Sequence, residues 1–110
     1  MSSVPNQQPN VITANGAITP SKFNSINAAS ALASLTLAAP TVDGQEAWFT
    51  DETGHAHVIT IAPSGSPPTS GLITGEVSHL TFGGTAGDSC GLLARNGFWQ
   101  VLTLNGVTVS

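Results

Sequence analysis

The chain has 110 residues, enough for one domain with a real but modest core. Charged residues are only 7% of it, Lys22 and Arg95 are its only cations, and the formal net charge is −4. That balance argues against binding nucleic acid through phosphates and against docking on an anionic membrane surface, because almost nothing is present to neutralise either.

A surface built from Ser, Thr, Asn, Gln and Gly loses little on desolvation, so the composition favours extensive contact with other chains and an obligate oligomer. Cys90 is the one cysteine. No intrachain disulfide is expected, and the thiol reads as a small buried hydrophobe in a strand. The first ten residues lack the basic and apolar regions of a signal peptide, so no export address is expected.

Taken in order, residues 1–10 are polar and uncharged, with Pro5 and Pro9. Proline removes a backbone donor and biases its predecessor toward extended geometry, which predicts an arm and not a helix. Either this arm is a disordered tail, or it orders by lying on a neighbouring subunit. Val11 to Thr19 carries Asn15-Gly16 between two apolar runs, a hairpin signature ended by Pro20. Around residues 21–30, Phe23, Ile26 and Ala29 have helical spacing, while Ser and Asn lower the helix propensity. Residues 31–38 alternate, with Ala31, Ala33, Leu35 and Leu37 on one face, and this predicts a strand ended by Pro40.

After the Asp43-Gly44 turn, residues 45–50 read as a strand, and residues 51–54 as a polar turn. Residues 55–62 form the next strand, with His55, His57, Ile59 and Ile61 facing one way and Ala56, Val58, Thr60 and Ala62 the other. Both faces are largely apolar, as in a strand covered on both sides. Residues 63–71, rich in Pro and Ser, are a loop, and residues 72–74 and 77–82 are short strands. The glycine-rich stretch 83–88 then leads into runs joined by Asn96-Gly97 and Asn105-Gly106, read as a terminal meander of four strands. The expected fold is all-β: a small antiparallel sandwich or barrel of short strands and hairpins with an extended N-terminal arm. Leu35, Leu37, Trp48, Val58, Ile59, Ile61, Phe82, Leu93, Trp99 and Val101 are the residues expected in its core or at subunit contacts.

His55-x-His57, with His79, is the best candidate for a metal site, since alternate residues on a strand point the same way. Histidines packed at a strand start are the commoner outcome of such a pair. Residues 83–88 lack the Gly-Lys-Ser/Thr ending of a phosphate loop and read as a turn. Asp88, Ser89, Cys90 and the histidines hold the side-chain types of a nucleophilic triad, but types without geometry do not make one. Trp99 beside Asn96-Gly97 could serve as a sugar platform, yet packing across the hairpin is the preferred reading.

Several segments in order carry a family likeness: Ala14-Asn15-Gly16-Ala17-Ile18, Ala33-Ser34-Leu35-Thr36-Leu37-Ala38-Ala39-Pro40-Thr41, Ala56-His57-Val58-Ile59-Thr60, Leu80-Thr81-Phe82-Gly83-Gly84-Thr85-Ala86-Gly87-Asp88, Asn96-Gly97-Phe98-Trp99 and Gly106-Val107-Thr108-Val109-Ser110. Over residues 14–110 the chain resembles the small structural proteins of tailed bacteriophages, found as capsid decoration (cement) proteins or head fibres. The resemblance implies no catalytic residues, no cofactor and no metal. It implies a homotrimer on the exterior of a virion, made in the host bacterial cytoplasm, with the major capsid protein as partner and neither nucleic acid nor membrane bound. The N-terminal arm lies outside the resemblance, but its prolines and uncharged amides suit main-chain addition to a neighbouring strand, so Val4, Pro5, Asn6, Gln7, Gln8, Pro9 and Asn10 are the expected capsid contacts. A head or tail fibre module mediating host-surface attachment is the alternative.

Overall fold

The computed structural model describes residues 10–19, 21–61, 79–95 and 97–109. Ten strands account for the regular structure of those residues: β1 (Asn10–Ile12), β2 (Gly16–Ile18), β3 (Phe23–Ile26), β4 (Leu35–Leu37), β5 (Glu46–Asp51), β6 (Val58–Ile61), β7 (His79–Phe82), β8 (Ser89–Arg95), β9 (Phe98–Asn105) and β10 (Val107–Val109). The first sheet runs β1-β3-β5-β8-β9 and the second β10-β7-β6-β4-β2. The all-β expectation is met.

The strand directions differ from expectation. The first six strands alternate between the sheets, so the chain winds as three two-strand coils stacked in parallel. Asn10↔Asn24 and Asn24↔Phe49 align in the first sheet, Ile18↔Leu37 and Leu37↔Ile61 in the second. Only after β6 does the chain reverse. β7 pairs antiparallel with β6 and β10, and β8 antiparallel with β5 and β9. Both sheets are therefore mixed, not antiparallel.

Two of the three Asn-Gly pairs make corners between sheets instead of hairpins. Asn15-Gly16 separates β1 from β2, which lie in different sheets. The Asn15 Oδ1 accepts the Ser34 N–H at 2.8 Å and the Gly16 N–H donates to the Ser34 carbonyl, so this corner is bonded to the corner of the next coil. Asn105-Gly106 likewise passes the chain from β9 to β10 in the other sheet. The expected terminal meander is thus split, with β8 and β9 in one sheet and β7 and β10 in the other. The hairpin expected between β8 and β9 is present: the two strands pair down to Arg95↔Phe98, and Gly97 has φ +80°, as a primed turn requires, while Asn96 lies outside the described residues.

Residues 31–34 are not strand, although they alternate in sequence. Leu32 is buried there while Ala31 and Ala33 are exposed. Their backbone groups are taken by other partners: the Leu32 N–H donates to His57 Nδ1, and the Val58 N–H donates to the Leu32 carbonyl. The helical spacing around Phe23 is also overridden, since Phe23–Ile26 is β3, between two parallel neighbours.

One buried apolar cluster draws on both sheets. Ile26, Phe49, Leu92, Trp99 and Val101 enter it from the first, and Leu35, Leu37, Ile59, Leu80 and Phe82 from the second. Ile61 packs against it partly buried. Trp48, Val58 and Leu93 are not core residues. Each occupies the outward phase of its strand's alternation and is only half-buried.

Candidate functional site

The buried polar groups gather at one corner. Asp51 closes β5, His57 leads into β6, and both side chains are fully buried. His57 Nδ1 accepts the Leu32 N–H at 3.0 Å, so its ring proton sits on Nε2, which faces Asp51 Oδ1 at 3.3 Å. The same carboxylate oxygen accepts the Thr53 and Gly54 N–H groups. Asp88 joins through the backbone: the Asp51 N–H donates to its carbonyl at 2.8 Å, while its Oδ2 accepts the Thr85 N–H. A buried carboxylate needs such donors to persist. Hydrogen bonds tie the end of β5, the turn that follows it and the turn before β8 into one unit, and His57 at the entry to β6 packs against it.

This geometry settles how the sequence's candidate residues are arranged. His55 and His57 precede β6 and their rings meet edge to face at 6.1 Å, with His57 in the same relation to Phe82. Among the described residues no three His, Cys, Asp or Glu side chains converge as a metal site. Residues 83–88 make a turn in which Asp88 bonds Thr85 through both backbone and side chain. Cys90 is fully buried, and burial pushes its thiol up to about 12. Trp99 is 2% exposed, and its indole N–H donates to the Ala38 carbonyl at 2.9 Å, so it is a packing residue and not a platform.

Of the expected capsid contacts, Val4, Pro5, Asn6, Gln7, Gln8 and Pro9 lie outside the described residues. Asn10 begins β1, where its side-chain amide donates to Asn24 Oδ1 and to the Thr19 carbonyl. It is part of the fold.

The two outer faces differ in chemistry. On the second sheet, Ala17, Thr36, Thr60 and His79 lie in one register row, and Thr108, Thr81 and Val58 in the next. Neither row holds a Lys, Arg, Asp or Glu. The first sheet's outer face is rougher. Phe23 and Trp48 are register partners there, beside Glu46, Thr50 and Ser25. The sequence reading missed both faces. The single threonine at the outward phase of each of β4, β6, β7 and β10 was the available signal for one, but nothing in the order of residues says which strands become neighbours when two sheets are filled alternately. No helix among the described residues is long and apolar enough to cross a membrane. No protein-family model, curated protein or solved structure matches this chain.

Proposed function

We propose that the protein is a structural component of a bacteriophage virion: a homotrimeric capsid decoration (cement) protein, its two sheets packed as a sandwich. It binds the outer surface of the major capsid protein shell and stabilises the head. The observation that carries this reading is the second sheet's outer face. Its two rows of Thr, Ala, Val and His contain no Lys, Arg, Asp or Glu, and only one side chain larger than valine. Covering such a face with a sister chain removes little from water that water holds strongly. The resemblance of residues 14–110 to tailed-phage structural proteins points the same way.

The test is mass and attachment. Light scattering should give one species near three times the chain's 11.1 kDa, and the purified protein should bind undecorated heads and raise their resistance to heat. A stable monomer without affinity for heads would overturn the proposal. A fibre module mediating attachment is the second reading, favoured by the exposed Phe23 and half-exposed Trp48 on the opposite face. Copy number per virion separates them: a number on the scale of the shell protein's own means decoration, and a handful means a fibre.

A further inference from the structure

Trp48 lies flat on the first sheet because its cross-strand partner is Gly91. A Cβ at position 91 would stand 2.4–2.7 Å from three carbons of the indole ring, so any other residue would lift it. The ring is also fixed at its edge, since its Nε1–H donates to Glu46 Oε1 at 2.9 Å. Next to it on β3, Phe23 is 43% exposed. Beside the two rings is an open hollow of about 300 Å³ bordered by Ser25, Thr50 and Glu52, with the Ser25 hydroxyl bonded to the Glu52 carboxylate. Covering the backbone of a strand glycine requires only an aromatic ring across from it. The second ring, the two hydroxyls and the hollow go beyond that task.

We propose that this shelf is a binding site for a neutral saccharide, with the indole of Trp48 as its floor. A pyranose presents a face of C–H groups that stacks on an aromatic ring, and a rim of hydroxyls that seeks acceptors. Apolar area with a few placed polar groups is the ordinary make-up of a small-ligand site, and the hollow falls at the small end of their usual size, about 300–1,000 Å³. Ser25, Thr50 and Glu52 supply hydroxyls and a carboxylate at the right edge. Charge selects within the sugars: Glu46 and Glu52 disfavour sialic and uronic acids. Lys22 stands with its ammonium 5.4 Å from the centroid of Phe23, so that ring already faces a cation, which disfavours a quaternary ammonium guest.

The site is independent of the face proposed for sister chains, so its test is independent too. The full chain is applied to an array of neutral hexose and N-acetylhexosamine oligosaccharides, with sialylated glycans and choline as additional probes. The best-bound neutral glycan is then titrated. The expected result is binding of at least one neutral glycan, and for Trp48→Ala a loss of about tenfold or more, the scale of truncating an aromatic anchor. Gly91→Ala should weaken the same glycan by displacing the ring. Should Trp48→Ala fail to fold, Phe23→Ala at its exposed position gives the reading, with a several-fold loss expected. No bound neutral glycan, a preference for the sialylated or choline probes, or affinity unchanged in the variant that folds would each overturn the proposal.

Discussion

Trp99 and Trp48 stand two strands apart in one sheet and face opposite ways. Trp99 is in the apolar cluster with its N–H satisfied by the Ala38 carbonyl, which ties β9 to the loop after β4. Replacing it with alanine removes that bond and a large buried surface, costing about 3–5 kcal/mol. In a chain of this size the melting temperature should fall by more than about 10 °C. A calorimetric scan showing the wild-type midpoint would place the ring outside the core. Cys90 allows a second check. Its thiol is raised from 9.0 to about 12 by burial, so the folded state disfavours the thiolate. The stability it contributes is complete below the unfolded value and is lost as pH climbs through the interval from 9.0 to about 12. At neutral pH a thiol reagent should label Cys90 only as fast as the protein opens. Stoichiometric labelling of native protein within the mixing time would contradict the burial.

At the scale of elements, what the sequence made legible was local. The Asp43-Gly44 turn located β5, period-two alternation the core-facing Leu35, Leu37 and Ile59, and Asn96-Gly97 the β8–β9 hairpin. What it hid was partnership. Asn-Gly accommodates a reversal within one sheet and a corner between two equally well, and the choice at Asn15 depends on Ser34, nineteen residues away. The buried corner was hidden for the same reason. His57 was visible as a histidine at a strand start, but its ring accepts the Leu32 N–H and lies 3.3 Å from the Asp51 carboxylate, across two coils. The uncharged face of the second sheet follows from that coil arrangement, and it supports a prediction. Thr36 is exposed on β4 between Ala17 and Thr60, so a glutamate there disturbs no core contact. Placed in a trimer contact, the charge would be buried without a partner, a costly position. Thr36→Glu should shift the light-scattering mass toward the monomer and leave the far-UV spectrum of the strands intact. A variant that remains trimeric would show that sister chains meet elsewhere.

For the whole molecule, the first strand of the first sheet bears on how the protein could reach a shell. Among the described residues β1 is an edge strand, paired only with β3, and it carries no charged side chain. Edges without charge, proline or bulge are open to pairing with another chain. Residues 2–9 precede this edge in sequence and hold two prolines and several amides but no charge. Main-chain pairing with a strand of the capsid protein needs neither charge nor particular side chains, so the segment suits that role. Asn10 sets the limit of a fair truncation, because its amide bonds to Asn24 and Thr19 belong to the fold. Deleting residues 2–9 and retaining Asn10 should therefore leave melting temperature and trimer mass nearly unchanged, while binding to undecorated heads disappears. If the shortened protein decorates heads to normal occupancy, the segment makes no needed contact, and the attachment surface must lie on the folded sheets.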